Sequence, residues 1–330
     1  MKIGIIGCGL IGKKRAYCFN KNQIKIVSDI DSSNIKFFKN KCNCQITKNY
    51  KNVIKSDVQI IFVCTPHFLL SKIAIECLKN KKHVFIEKPG TINKLELNKI
   101  KLISKKYNLK VKIGFNHRYH PSIILSKKII EKNTYGKILF LKASYGHGGR
   151  KNYDKEWRFD IKKSGGGELI DQGSHLIDLA VYFLGDLKVD YAFLKDYFWK
   201  KNIDDNIFVS LVSKNKQLAW LNASWTEWKN SFNFEIICEF GKLKISGLGK
   251  SYGIETLYLY KMNKNLKPPK EKIYKFKKID DSWNKEVKDF LNSIKYNKKI
   301  NGSIEELFIV SKIILEAYKK NNNKINYNFK

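Results

Sequence analysis

The chain is short of arginine, proline and paired cysteine, and each shortage narrows what it can be. Four of its 64 basic residues are arginines, at Arg15, Arg118, Arg150 and Arg158. Arginine is the side chain suited to bidentate contacts with phosphates and base edges, so a nucleic-acid reader this poor in it would be out of pattern. The formal charge of +34 is carried by lysine, spread among asparagine and isoleucine along the whole length. That spread reads as a compositional bias rather than a basic patch. Attraction of an anionic substrate is the one use it keeps open. Five prolines and a 43% hydrophobic content exclude collagenous and largely disordered chains. No stretch approaches the ~18 uninterrupted apolar residues of a membrane helix, so no membrane partner is expected.

Seven cysteines form an odd set at no disulfide or zinc spacing, and Cys42 and Cys44 make only C-x-C. Cys64 follows Ile60-Ile61-Phe62-Val63, where a free thiol behaves as a small hydrophobe. This usage fits a reducing, cytoplasmic compartment. The apolar stretch before Cys8 is shorter than the ~7–15 residues of an export signal and is interrupted by glycine, so export is not expected.

What is present is a rhythm. At 330 residues the chain suits two domains. In its first third, strands at 2–6, 24–28, 59–63, 83–86 and 111–114 alternate with helices at 10–20, 34–40, 69–80 and 94–107. That alternation means a parallel sheet covered on both faces. After about residue 120 a helix at 122–132 and a strand at 137–145 precede a helix at 168–184. Strand-like segments follow at 189–198, 203–212, 217–225, 232–238, 243–246 and 255–260, without intervening helices. They read as one antiparallel sheet. The stretch 263–272 reads as a surface loop, and helices near 283–294 and 303–320 close the chain. The expected fold class is therefore α/β: a doubly wound Rossmann domain over 1–120, then an α/β domain with a large open antiparallel sheet over 121–330.

Gly7-Cys8-Gly9-Leu10-Ile11-Gly12 fits G-x-G-x-x-G directly between a strand and a helix. The first glycine permits the tight turn, the second lets backbone N–H groups approach a pyrophosphate, and the third allows helix and strand to pack closely. The second strand ends at Asp29, whose carboxylate can accept hydrogen bonds from ribose hydroxyls and repels a 2′-phosphate. The expected cofactor is NAD rather than NADP. Thr65 and Pro66 end the third strand and would lie along the middle of the cofactor. His67 reads either as a cofactor contact or as a helix-start residue.

Glu87-Lys88-Pro89 ends the fourth strand on the same ligand-binding edge. A lysine there can approach the cofactor and polarise a substrate oxygen. In the run 114–121, Asn116 and Arg118 read as cofactor contacts or as braces of the crossover between domains, and His117 and His120 as hydrogen-bonding braces. The segment 164–178 runs from three glycines into a helix that carries Asp171 and His175 at i,i+4, with Asp178 next along the stripe. A carboxylate beside an imidazole makes the acid–base pair that a secondary alcohol needs when it loses hydride. Gly173 inside that helix costs ~1 kcal/mol relative to alanine, which close approach of a ligand or backbone would offset. These residues lack a nearby cysteine or second histidine at ligand spacing, so no metal is expected.

Taken together, the chain resembles the glucose–fructose oxidoreductase / inositol dehydrogenase family, Gfo/Idh/MocA. The likeness runs nearly end to end through Gly7–Gly12, Glu87-Lys88-Pro89, the Gly-x-Asn-x-Arg-x-x-Pro run of 114–121, Trp157-Arg158 and Asp171-x-Gly173-x-His175-x-x-Asp178. The resemblance implies that Lys88, Asp171 and His175 are catalytic and contact substrate, with Asp178 beside them. It implies that Trp157 and Arg158 contact the nicotinamide end, and that copies join as a homodimer or homotetramer through the C-terminal sheet. The expected activity is hydride transfer between NAD and a secondary alcohol of a sugar, cyclitol or sugar derivative. Alternatives are a nucleotide-sugar or ketosugar reductase of surface-glycan synthesis, and an NAD-binding regulatory protein without turnover.

Overall fold

The computed structural model of the protein describes residues 1–321. The described residues divide into two compact units, one of Met1–Phe115 with Trp283–Ser311, the other of Asn116–Ser282 with 312–321.

In the first unit, strands and helices alternate as β1 (Ile3–Ile6), α1 (Leu10–Ala16), β2 (Ile24–Ser28), α2 (Ser32–Lys41), β3 (Gln45–Thr47), α3 (Tyr50–Lys55), β4 (Ile60–Val63), α4 (His67–Lys79), β5 (His83–Glu87), α5 (Lys94–Lys106) and β6 (Val111–Gly114). Among the described residues the six strands form one parallel sheet in the order β3-β2-β1-β4-β5-β6. The order reverses between β1 and β4, and open α/β sheets bind ligands beyond the carboxyl ends of strands at such a switch point. Strands β1 and β4 are buried along their whole length, as a sheet covered on both faces requires. Their uniform apolar run is the physical basis of the alternating pattern in the sequence.

The second unit holds α6 (Pro121–Glu131), β7 (Ile138–Gly146), α7 (Ile161–Ser164), a π-helical turn at Leu169–Gly173 and α8 (Ser174–Leu184). Strands β8 (Leu187–Lys195), β9 (Asn206–Ser213), β10 (Leu218–Ser224), β11 (Ser231–Cys238), β12 (Gly241–Ser246), β13 (Glu255–Lys261) and β14 (Lys270–Phe276) follow. Among the described residues, eight strands form one sheet in the order β14-β13-β12-β11-β7-β10-β9-β8. Neighbours are antiparallel except β7 and β10, which run parallel. The long connection between them, through α8, β8 and β9, is what a parallel pair needs. Register separates the two faces. Leu257, Ile245, Phe234, Ala143, Leu221 and Val209 oppose one another across the sheet and are buried. On the other face Ile273, Trp220 and Tyr191 remain 45%, 41% and 49% exposed.

Two helices close the described chain, α9 (Ser282–Lys295) and α10 (Ile304–Lys320). Val287 and Phe290 of α9 are buried in the core of the first unit, where Phe290 meets the stacked rings of Phe62 and Phe85 edge-on. An amphipathic helix carries no label for the sheet it will cover, so this return of 283–311 leaves no trace in the sequence pattern. Among the described residues no helix is long and apolar enough to cross a membrane.

Candidate active site

The candidate residues of the first unit are set mainly by backbone. Gly7 has φ +93, and its N–H donates to the Ser28 carbonyl at 2.8 Å. A Cβ on Gly7 would lie 2.5 Å from the Cys64 carbonyl oxygen, and one on Gly12 would overlap the Gly7 carbonyl oxygen. A Cβ on Gly9 would meet nothing within 4 Å. The first and third glycines thus serve the packing of α1 against β1 and β4, and the second opens the loop. Asp29 fastens this loop: its Oδ2 accepts the Cys8 N–H at 2.6 Å and its Oδ1 accepts the Asp31 N–H at 2.8 Å. Burial, helped by the Asp29 carboxylate, pushes the Cys8 thiol up, so it stays a neutral filler.

An NAD dinucleotide fits these residues. The Gly9 opening lies at the start of α1, where a helix N-terminus favours a pyrophosphate. Thr65, at the carboxyl end of β4, has a buried Oγ1 with no hydrogen-bond partner, a polar atom that a ligand would satisfy. Pro66 caps α4 and His67 is its first, half-buried residue. Leu10 is 65% exposed and Ile11 half-buried. Ile30, 87% exposed directly after Asp29, offers an apolar surface for a planar base. Sequence reasoning passed over it; its signal was an apolar residue placed straight after the acid that ends the strand.

Lys88 follows β5 and is half-buried on the same sheet edge. Glu87, before it, is buried, and its Oε1 accepts from Arg15 Nε at 2.6 Å. Arg15 Nη1 donates to Glu286 at 2.7 Å, and the guanidinium lies over Phe85 and Trp283 at 4.2 and 4.4 Å from the ring centroids. Burial pulls the guanidinium down, yet Glu87 and Glu286 overcome it and hold Arg15 above its ordinary range. The structure thus ties Glu87 to α1 and α9, in a buried ion network for which the sequence held no marker.

The candidate residues of the second unit are set mainly by side chains. Asp171 and His175 were expected on one α-helix; instead Leu169–Gly173 forms a π-helical turn that leads into α8. Such wide turns recur at functional sites. Asp204 clamps this one: its Oδ1 accepts the Gly167 N–H at 3.0 Å and its Oδ2 the Leu169 N–H at 2.7 Å, and Tyr318 donates its hydroxyl to Oδ1 at 3.2 Å. Gly173 is explained by packing, since a Cβ there would lie 3.0 Å from Ile207 Cδ1 and 3.2 Å from the Glu168 carbonyl oxygen. Asp171 is 9% exposed and accepts from Arg158 Nε at 3.2 Å; Arg158 also donates to Glu156 at 2.9 Å. Trp157 lies beside this group, with the Arg158 guanidinium 4.9 Å from its ring centroid.

Arg118 and Asp178 are each other's partners. Nε and Nη2 of Arg118 meet the two oxygens of Asp178 at 2.8 and 2.6 Å, with both side chains fully buried. Asn116 donates to Ser282 Oγ at 3.2 Å. His175 is 6% exposed, and the ring of His117 lies face to face with it, 3.8 Å between centroids and 20° between planes. Tyr145 stands edge-on to both. Burial, with help from Tyr252, pushes the Tyr145 phenol far up, so it stays neutral. Asp204, Tyr145 and Tyr252 have no motif of their own and were missed. Among the described residues no group of three or more His, Cys, Asp or Glu is placed to hold a metal ion.

Residues 1–115 match the model of the oxidoreductase family with an NAD-binding Rossmann fold, and residues 124–244 match the GFO/IDH/MocA C-terminal domain. The uncharacterized oxidoreductase YrbE of Bacillus subtilis (strain 168) is 29% identical over 231 residues, 67% of this chain and 66% of that protein. Glucose-6-phosphate 3-dehydrogenase of the same strain is 32% identical over 186 residues, 55% of this chain and 53% of that protein. The chain thus spans between about half and two thirds of the length of these curated relatives. Levoglucosan dehydrogenase in complex with NADH shares the fold, with a TM-score of 0.85 at 20% identity over 97% of this chain and 98% of that one. With a dinucleotide edge in one unit, a buried Asp–His turn in the other and both family domains matched in order, the chain belongs to the Gfo/Idh/MocA family of oxidoreductases.

Proposed function

We propose that the protein is an NAD-dependent dehydrogenase or reductase of a secondary alcohol on a sugar, cyclitol or sugar derivative. The observation that carries this reading is the row of Gly7–Gly12, Asp29, Thr65 and Lys88 along one edge of the parallel sheet. It supports a dinucleotide site with a lysine ammonium at its end. The names of the relatives, glucose-6-phosphate 3-dehydrogenase and the 28% identical myo-inositol 2-dehydrogenase of Thermotoga maritima, support the substrate class.

Bound NAD supplies the hydride acceptor, and the rest of the chemistry falls to Lys88, Asp171 and His175. His175 takes the proton from the carbinol oxygen as the C–H bond breaks and the carbonyl forms, and later returns it to solvent. Asp171 stabilises the imidazolium. Lys88, at the end of the dinucleotide edge, supplies an ammonium that can stabilise negative charge developing on a substrate oxygen. Reduction runs the same steps backwards. We assign cofactor binding to 1–120, and substrate binding and assembly to 121–330. The exposed sheet face of Ile273, Trp220 and Tyr191 is the contact between copies, which light scattering reads as a dimer or tetramer.

The test is NADH formation at 340 nm across free, phosphorylated and nucleotide-linked sugars and cyclitols. His175→Ala and Lys88→Ala should each lower kcat by roughly 10²–10⁴ and leave NAD affinity nearly intact. NAD binding without turnover on any substrate would leave a regulatory binder instead. Full turnover in either variant would remove that residue from the catalytic set.

A further inference from the structure

The reaction needs one imidazole, yet the structure stacks two. His117 sits in the 3₁₀ turn Asn116–Tyr119, 5% exposed. Its ring lies 3.8 Å from that of His175 with 20° between the planes. Its Nδ1 is 3.3 Å from Asn116 Oδ1; an amide oxygen only accepts, so Nδ1 is the donor in this tautomer. Tyr145 closes the edge of both rings, at 5.2 Å from His117 and 6.4 Å from His175.

Charge decides what such a stack does. Two imidazolium rings held face to face within 4 Å repel, and burial removes the water that would screen them. One imidazolium over one neutral ring is attractive, as a cation over an aromatic face is. The stack therefore accepts one proton readily and resists a second.

The groups facing the stack fit that rule. Asp171 and the buried Glu168 both act on Tyr145, which closes the edge of the stack, and their negative charge favours the first proton, with Asp171 partly matched by Arg158. Arg118 is matched by Asp178, and His120 meets Glu255 at 3.0 Å and lies 4.0 Å from Asp280. Tyr145 and, behind it, Tyr252 are held neutral by burial.

We propose that His117 is a positioning residue for His175: a neutral plate that fixes the plane of the accepting ring, stabilises the imidazolium formed there, and limits the pair to one proton. This rests on the catalytic reading of His175, but its test does not need a substrate. With Cε1-labelled histidine, six resonances report the full-length protein. In the wild type, His117 and His175 should titrate as a coupled pair, each curve showing both steps. His117→Phe keeps a flat ring and removes the second proton site. The His175 curve should then become a single step, its midpoint displaced by about half a unit or more. His117→Ala should also remove the ring-current shielding of His175, and His175→Phe should reciprocally simplify the His117 curve. A His175 titration unchanged in His117→Phe, with unchanged His117 in His175→Phe, would overturn the proposal. Activity separates the two readings: a dead His175→Ala with uncoupled titrations sinks only the pairing, whereas a fully active His175→Ala with coupled titrations sinks the catalytic role, and the positioning role with it, and leaves only a pair that shares one proton. Once a substrate is known, the acid limb of kcat/KM should move in His117→Phe by the same displacement as the NMR midpoint.

Discussion

The dinucleotide edge and the buried Asp–His turn are built by opposite means. Along the edge, Gly7, Gly9, Gly12 and Asp29 lie within 23 consecutive residues, and the work is done by main-chain N–H groups, absent Cβ atoms and one carboxylate. At the turn, Asp171 and His175 are held by Asp204, Arg158, His117 and Tyr145, drawn from separate elements and acting through side chains. A backbone-built site tolerates little change at its glycines. A side-chain-built site depends on partners that are individually replaceable but energetically coupled.

Three variants sharpen or break that contrast. The largest effect is expected from Gly12→Ala, whose Cβ would overlap the Gly7 carbonyl oxygen, an atom of the main chain. Calorimetry should show NAD binding weakened at least about tenfold, with the folded protein retained. Normal affinity would mean that backbone packing does not build the edge.

Asp204→Ala should come next. It strips the Gly167 and Leu169 N–H groups and the Tyr318 hydroxyl of an acceptor, at about 1–3 kcal/mol for a buried group left unsatisfied. Turnover should fall and the melting temperature drop, while NAD affinity holds. Equal loss of both functions would erase the distinction between the two halves.

The smallest effect belongs to Thr65→Val. Because Thr65 Oγ1 has no protein partner, its removal should leave the cofactor-free protein as stable or more so, and cost about 1 kcal/mol of NAD binding. A destabilised apo-protein with unchanged affinity would mean that the hydroxyl serves the fold and not the ligand.

Legibility in the sequence follows the same divide. Strands β1, β2, β4, β5 and β6 were readable within a residue or so, because buried strands are short, mostly apolar segments. The small pieces β3 and α3 were not, since Gln45–Thr47 is half-exposed and carries no run. Strand β14 was not read: its first three residues fall in the stretch 263–272 taken as a surface loop, and the rest was left unassigned. Its residues are mostly exposed, and lysines on an edge strand oppose pairing with other chains. The helix expected over 168–184 was right for Ser174–Leu184 only, because Asp204, thirty residues further on, holds the π-turn before it. Asp171 and His175 were legible by spacing. Their supports were not: Asp204 sits in a plain Asp-Asp dipeptide, and His117 was read as a hydrogen-bonding brace when its ring is stacked on His175.

By itself the sequence determined the parallel sheet, the glycine loop with its acidic partner, and membership of a family. The first two rest on periodicity or spacing within a few dozen residues, which chain geometry translates directly into contacts; the third rests on a resemblance of ordered motifs that runs nearly end to end. Tertiary structure alone decided that Arg118 neutralises Asp178, that Arg15, lying over Phe85 and Trp283, holds Glu87 and Glu286, and that one imidazole lies upon another. Those pairings join residues up to 271 positions apart, and no local pattern can encode which distant partner a buried charge or ring will meet once the chain has folded.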